Sequence, residues 1–501
     1  LAAGAPGREG RREPGSQRFP VTRVLGLEVL GQRALGAPRV DRVREALAGT
    51  PAWLVGGAVR DIALGRETND LDLAVTGSPE VPARAIAKAL DGIAFELSEE
   101  FPAWRAKDRD DAWQVDVAEL RAPDIERDLE LRDFTVGAVA VSLENGEAID
   151  PLGGLGDLAA GTIRVCGPTS FSDDPLRLMR AARLVAQFGW EIEEATAELA
   201  RQSAPRAGDP AGERTLAELI LLIGARDPLA GLAAMDRIGL FDWLLPEIGD
   251  LHDVVQGPNH HLDVYGHTME VVEGILRIES DLEAFTGERA PEVSAYLSRP
   301  LADGATRGAA LRLGALFHDC AKPQTRSEEG GFVSFRGHDR LGAEQIDSRF
   351  RSLRASRKLS SYIADLTRHH LILGFLVNQM PLDKRQVFAY LDHTDPVSID
   401  VTLLTVADRL AARGTAEIAG QKMVAGHLEL AREMVGHALD WDRHGPPAQF
   451  LPGNELAEAL GIEPGPELGN LMKELAAARF AGEIEDATEA VEHARAFLEA
   501  G

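Results

Sequence analysis

The sequence predicts an α+β head over residues 21–160 followed by an all-helical body. Period-two apolar alternation recurs in short runs up to about residue 160, and from 161 onward helical periodicity replaces it almost completely. Clusters of Pro and Gly at Ser203–Gly212, Gly257–Pro258, Gly445–Pro452 and Gly461–Gly469 punctuate the helical part. At 501 residues the chain exceeds the size at which one hydrophobic core keeps growing. The expected division is a lead-in at 1–20, the head at 21–160, a helical neck at 161–250, a histidine-bearing domain at 251–420 and a helical C-terminal segment at 421–501. No internal repeat of fixed period is evident.

Apolar residues make up 45% of the chain, but the longest apolar run, Leu219–Ile223, is far too short to span a bilayer. No membrane association is expected. The first twenty residues are rich in Gly, Arg and Pro without an apolar stretch, which reads as a disordered lead-in and not as a signal peptide. Two cysteines, Cys166 and Cys320, fall in different expected domains, so the sequence points to a reducing compartment, the cytoplasm. The net charge of −27 excludes a chain that coats nucleic acid. Its distribution still allows a local basic groove: residues 1–60 carry ten Arg, whereas the acidic surplus is heavy in 421–501.

Within the head, Ala52–Val55, Leu71–Val75, Trp113–Val117 and Thr135–Val141 read as strands. Gly56 and Gly57 turn the first strand into a short helix that runs through Leu64 and closes at Gly65. Asp70 and Asp72 then alternate with Leu71 and Leu73, so both carboxylates face one side and both leucines the core. Neighbouring same-face carboxylates suit two divalent metals about 3.5–4 Å apart, which activate a hydroxyl and neutralise a leaving pyrophosphate. The glycine pair lets backbone N–H groups at a helix start approach a triphosphate. Asp116, between Val115 and Val117, is the candidate third carboxylate. A half-exposed strand that happens to carry two aspartates is the competing account, and the preceding Gly-Gly with Arg60-Asp61 argues against it.

The stretch LVGGAVRDIALGRETNDLDLAV (Leu54–Val75) resembles the signature of the bacterial-type (class II) CCA-adding tRNA nucleotidyltransferases and poly(A) polymerases, members of the DNA polymerase beta superfamily. The resemblance continues through RDFT at Arg132–Thr135, DPLGGLGDL from Asp150, SDDPLRLMRAARL from Ser172 and ERTLAEL from Glu213. It implies a polymerase-beta-like palm, Mg²⁺ held by Asp70 and Asp72, and a triphosphate cradled by Gly56, Gly57 and Arg60, with Arg132 and Asp133 contacting sugar and phosphates. Its substrates would be CTP, ATP and the 3′ acceptor end of tRNA, with no protein partner evident. Leu131 and Gly137 depart from the family's second arginine and asparagine at these positions, and Asp173 from its more frequent glutamate.

In DDPLR, a cap at Ser172 or Asp173 would put Asp174 and Arg177 three apart on one helical face. A carboxylate that accepts from an exocyclic amine, beside a guanidinium that donates to a ring nitrogen, matches the edges of cytosine and adenine and rejects guanine and uracil. The spacing alone fits a surface ion pair equally well; the resemblance implies the base-reading role. Arg180 and Arg183 extend the basic stripe toward the triphosphate or the tRNA backbone.

From residue 251, HHLDVYGHTMEVVE, LGALFHDCAKP, RGHDRLGAE, TRHH and LLTVADRLAARG together resemble the HD phosphohydrolase domain. The resemblance implies a divalent transition metal (Ni, Mn, Co or Fe) on His267, His318, Asp319 and Asp408. A second could rest on His338 with His369 or its neighbour His370, and Lys322 is placed to meet a phosphate. The implied substrate is a phosphomonoester or a 2′,3′-cyclic phosphate. LPGNELAEALGIEPGPELGNLMKELAAARFAGEI (Leu451–Ile484) resembles the C-terminal helical segment that helps hold tRNA in such enzymes; a plain αα-hairpin is the alternative. The expected activity is template-independent addition of CMP and AMP to the tRNA 3′ end. The alternatives are a product limited to CC, A or a poly(A) tail, or an HD phosphohydrolase whose head has degenerated.

Overall fold

The computed structural model describes residues 25–98, 102–110, 112–257, 261–412 and 417–500; the lead-in expected at 1–20 lies outside the described residues. The chain divides into two compact units, one of residues up to 210 with 225–240, the other of 211–224 with 241–501. The helix Gly212–Ile223, expected in the neck, belongs with the second unit. Among the described residues no helix is long and apolar enough to cross a membrane.

The first unit is built on a seven-stranded sheet in the order β3-β4-β5-β2-β1-β6-β7. Its strands are β1 (Ala52–Val55), β2 (Asp70–Val75), β3 (Ile93–Ser98), β4 (Ala103–Lys107), β5 (Gln114–Glu119), β6 (Ala140–Ser142) and β7 (Ala148–Ile149). All neighbours are antiparallel except β2 and β5, which run parallel because a helix, Glu80–Ala89, and the β3–β4 hairpin intervene between them. Leu71 and Leu73 on β2 and Val115 and Val117 on β5 are buried, so the period of two turns Asp70, Asp72 and Asp116 to the opposite face.

Of the expected strand Thr135–Val141 only the last two residues are in strand. Thr135–Gly137 is a single 3₁₀ turn and the strand begins at Ala140. The backbone N–H of Thr135 donates to Arg164 O at 2.9 Å, and Phe134 bridges to Val165, which draws this segment out of the sheet. Strands β3, β4 and β7 were not expected from the sequence.

The DPLGGLGDL motif anchors that turn. Asp150 accepts from the backbone N–H groups of Gly154 and Leu155 at 2.6 and 3.0 Å and so caps the helix Gly154–Ala160. Asp157, one turn later, accepts from the Thr135 hydroxyl at 2.6 Å and from Arg164 Nε at 3.0 Å. Gly154 lies so close to Thr135 that an added Cβ would sit 2.0 Å from its carbonyl oxygen. The motif thereby fixes the segment Arg132–Thr135 from behind.

In the second unit, Val264–Ser280 packs its buried Val271, Val272, Ile275 and Ile278 against Ser398–Ala411, a helix buried over nearly its whole length. Gly274 makes the approach close, since an added Cβ would lie 3.0 Å from Ala407 Cβ. Arg307–Phe317, His338–Ser352 and Arg357–His369 complete this helical layer. After the long helix Glu417–His444, which crosses the expected boundary at 421, three helices, Gly453–Leu460, Pro466–Ala481 and Ala487–Ala500, close around Leu456, Leu471, Leu475 and Ile484. Arg385 ties two carboxylates of this segment, Glu474 and Glu483, through N–O contacts of 2.6–3.0 Å.

The substitution Gly154→Ala should destabilise the head by about 1–3 kcal/mol, the range for forcing a methyl into packed backbone, and lower its melting temperature. Gly156→Ala, whose methyl meets nothing within 4 Å, is the control and leaves the transition unchanged or raised.

Candidate active site

Asp70 opens β2 at the sheet surface and Asp72 follows half-buried, with Asp116 in register beside Asp72 on β5. Three carboxylates on one face repel one another. Burial together with Asp70 and Asp116 pushes the Asp72 carboxyl up to about 6, although Arg132 and the Gly57 N–H pull it down. A donor set of this kind is completed by cations, so the residues fit a divalent metal centre. Asp116 is also held by Arg105 on β4, with two N–O distances of 2.6 Å. Reading by sequence missed Arg105, because the strand that carries it was not recognised.

β1 runs directly into the helix Gly56–Ala63, so the glycine pair forms the helix N-terminus itself. Gly56 has φ +68°, and a Cβ there would stand 2.9 Å from Asp72 Oδ2 and 3.3 Å from Arg132 Nη1. Only glycine fits this approach of backbone to carboxylate. A cavity of about 270 Å³ opens here, lined by Gly56, Gly57, Arg60, Asp72, Asp116, Arg132, Asp133, Gly137, Arg180 and Arg183 among others. Arg60 lies against Phe188, its guanidinium carbon 4.7 Å from the ring centroid, and donates from Nε to Asp61 Oδ1 at 3.0 Å.

The cationic wall is pre-positioned by one buried and one half-buried carboxylate. Asp128, 2% exposed, accepts from Arg132 at 3.2 and 3.3 Å and from Arg121. Asp133 pairs with Arg180 Nη2 at 2.8 Å, and against the effect of burial this guanidinium keeps its carboxyl below the usual range. Arg183 donates to Gln187 Oε1 at 2.7 Å. Leu131 points outward at 46% exposure, and Gly137 leaves open the space that a larger side chain would occupy near Asp133.

Asp174 and Arg177 do not share a helix face as expected. The chain breaks between the helices Ser170–Asp173 and Leu176–Phe188, with Asp174 extended (φ −144°, ψ 98°), because a residue before proline is steered away from helical geometry. Pro175, and not Ser172 or Asp173, is the cap of the second helix. Asp174 accepts from the Leu176 N–H at 3.1 Å. Arg177 reaches back to the carbonyls of Leu131, Arg132 and Ser170 at 2.9–3.3 Å, which joins this helix to the Arg132–Asp133 segment. Neither residue lines the cavity around Asp72.

The second unit holds a separate buried cluster. His267 Nε2 lies 3.0 Å from Asp408 Oδ1 and 3.6 Å from Asp319 Oδ2; His318 Nε2 is 3.1 Å from Asp319 Oδ2. His338 Nε2 is 3.3 Å from Asp319 Oδ1 and 3.2 Å from His370 Nε2. His370, not His369, therefore completes the group: adjacent helical residues point about 100° apart, and the His369 ring packs against His393. His318, His338 and His370 each place Nδ1 2.6–2.8 Å from the carbonyl three residues earlier, Ala315, Phe335 and Thr367. A carbonyl only accepts, so Nδ1 carries the hydrogen and each Nε2 presents a lone pair to the cluster, an arrangement that fits metal ligation. Burial pushes His370 down to about 4, keeping it in the neutral ligand form. Asp319, which burial alone would raise, is held well below the carboxylate range by His318 and Lys322. Lys322 Nζ lies 2.6 Å from Asp319 Oδ2 and donates to Gln256 Oε1 at 2.7 Å.

Residues 52–164 match the model of the poly A polymerase head domain, 189–251 that of the probable RNA and SrmB-binding site of polymerase A, and 264–413 that of the HD domain. Both the nucleotidyltransferase and the HD families use divalent metals. An A-adding tRNA nucleotidyltransferase of Deinococcus radiodurans is 35% identical over 89% of this chain and 95% of its own. A CC-adding tRNA nucleotidyltransferase of Thermus thermophilus is 31% identical over 89% and 93%. The Thermotoga maritima CCA-adding enzyme solved with tRNA shares the fold at a TM-score of 0.57 and 21% identity, covering 95% of this chain and 99% of that one. The chain belongs to the class II family of tRNA nucleotidyltransferases and poly(A) polymerases, in the branch that carries an HD domain.

Proposed function

We propose that this protein adds CMP and AMP from CTP and ATP to the 3′-hydroxyl of tRNA in the cytoplasm, without a template. The reading is carried by Asp70, Asp72 and Asp116 on one sheet face beside a helix that begins at Gly56-Gly57. Asp70 and Asp72 would hold Mg²⁺, with Asp116 assisting; held there, it would lower the pKa of the attacking hydroxyl and offset charge on the leaving pyrophosphate. The N–H groups of Gly56 and Gly57 take phosphate oxygens at the positive end of the helix. Arg60, Arg132, Arg180 and Arg183 line the same cavity and supply the remaining positive charge, and Asp133 orients Arg180. Base choice falls to Asp174 and Arg177. Three backbone carbonyls hold the Arg177 guanidinium, which fixes its plane as a specific reader requires.

A narrower product is the second reading, because some relatives are named A-adding or CC-adding while others are named multifunctional CCA protein. Extension of tRNA lacking its terminal CCA, and of tRNA ending in CC, with CTP alone, ATP alone and both, separates the cases. Full CCA addition needs both nucleotides on the first substrate; an A-adding enzyme extends only the second, with ATP.

In the second unit, His267, His318, Asp319 and Asp408, with His338 and His370, would hold one or two transition metal ions and support hydrolysis of a phosphomonoester or cyclic phosphate. Support comes from the three Nδ1–carbonyl contacts and from the ligand groupings around Asp319.

Either Asp70→Ala or Asp72→Ala should lower nucleotide incorporation by roughly 10²- to 10⁴-fold, the loss of several kcal/mol of charge stabilisation, with phosphatase activity intact. Incorporation that survives both changes defeats the reading of the head. Metal analysis of protein loaded with Ni²⁺ or Mn²⁺ should show reduced content in His318→Ala and His370→Ala but not in His369→Ala. Equal loss in His369→Ala would contradict the choice of His370.

A further inference from the structure

The carboxylate face of the sheet continues beyond Asp116. Across the strands in register, Phe95 on β3 stands opposite Arg105 on β4, Arg105 opposite Asp116 on β5, and Asp116 beside Asp72 on β2. The adjacent row is Ile93, Lys107, Gln114 and Asp70. Residues paired in register share a face, so two basic side chains and then an apolar edge extend outward from the metal-binding aspartates. Exposure along β3 agrees. Ile93, Phe95 and Leu97 are 64, 39 and 40% exposed, while Ala94 is half-buried on the other face; Glu96 is exposed where the pairing shifts register between Glu96 and Ser98. That other face is covered by the helix Glu80–Ala89, whose Arg84 lies over the Trp104 ring at 5.1 Å. Three large apolar residues in one row of an exposed edge strand are a liability that folded proteins normally blunt with charge. Here the row is contiguous with the reaction centre.

We propose that this strip seats the single-stranded 3′ end of the RNA acceptor, an unpaired base upstream of the terminal nucleotide stacked on Phe95 between Ile93 and Leu97 and the phosphates that follow it passing over Lys107 and Arg105 toward the aspartates. The proposal rests on the nucleotidyltransferase reading above. The nucleotide cavity extends from Gly56, Arg180 and Arg183 on the β1 side of Asp72 to Asp116 and Ala118 on β5, so an acceptor end lying along the β4–β3 side meets it at the aspartates. Every base offers a π-face, so an aromatic platform accepts the end of any tRNA and tolerates its lengthening by successive additions. Arg105, paired with Asp116, stands between the carboxylates and the strip, so an arriving phosphate meets a guanidinium before it meets like charge.

The test uses the full chain with Phe95→Ser and Phe95→Trp. Phe95→Ser should raise the KM for tRNA roughly tenfold, the size of one lost base–aromatic stack, with the KM for the nucleotide and the melting temperature unchanged. Phe95→Trp should retain wild-type values. Trimming the acceptor to a blunt end should abolish the difference between the variants. Lys107→Gln should flatten the salt dependence of tRNA binding by about one unit of slope. A 4-thiouridine at the unpaired position upstream of the acceptor's terminal nucleotide should cross-link within residues 93–107. An unchanged KM for tRNA in Phe95→Ser, or cross-links confined to the helical body, overturns the proposal. If the wild-type chain extends no RNA, the reading of its function fails instead, and an extending enzyme indifferent to Phe95→Ser removes this proposal alone.

Discussion

Asp70, Asp72 and Asp116 carry like charge on one face of one sheet, and free in water such groups would move apart. The parallel pairing of β2 with β5 denies them that freedom. It is held by Leu71, Leu73, Val115 and Val117, which are buried on the opposite face and cannot leave the core without losing several kcal/mol of apolar burial. The elements nearby answer the resulting concentration of charge. Arg105 pairs with Asp116, Arg132 is turned toward Asp72 by the buried Asp128, and the helix beginning at Gly56 directs its N–H groups to the same place. A donor set that fits a cation results from hydrophobic burial on one side imposing repulsion on the other.

The same economy links the motifs to one another. DPLGGLGDL contributes no atom to the cavity, yet through Asp157 and Gly154 it braces Thr135 behind Arg132 and Asp133. SDDPLRLMRAARL supplies Arg180 and Arg183 to the cavity and uses Arg177 to hold the carbonyls of Leu131 and Arg132. The stretch from Arg132 to Asp133 is thus clamped from two sides, which suits a site whose specificity depends on placement more than on binding strength.

Much of this was legible in the sequence where a short period meets a strong signal. Alternation of Asp and Leu gave β2 and its functional face, the apolar run Ala52–Val55 gave β1, and the glycine pair gave the helix start. What escaped was set by long-range contact. β3 presents its apolar row to the open face, so its pattern does not separate core from surface, and with β3 went β4 and Arg105. Thr135 was assigned to a strand because its pairing with Arg164 cannot be foreseen locally. The choice of His370 over His369 depends on a rotation about a helix axis, and the break at Asp174 on a proline that helix periodicity alone would overlook.

Cys320 follows Asp319 in the chain, is fully buried, and has its Sγ 3.8 Å from the carbonyl of Gly342; burial pushes the thiol up. The softest potential donor beside the histidine cluster is therefore kept protonated and turned to backbone. Among the described residues the cluster offers imidazole and carboxylate alone, a poor trap for thiophilic ions such as copper(I) or cadmium. With no thiolate beside it, peroxide has little purchase on sulfur there, so a centre of this kind keeps its ligand set through oxidative stress that disables thiolate sites.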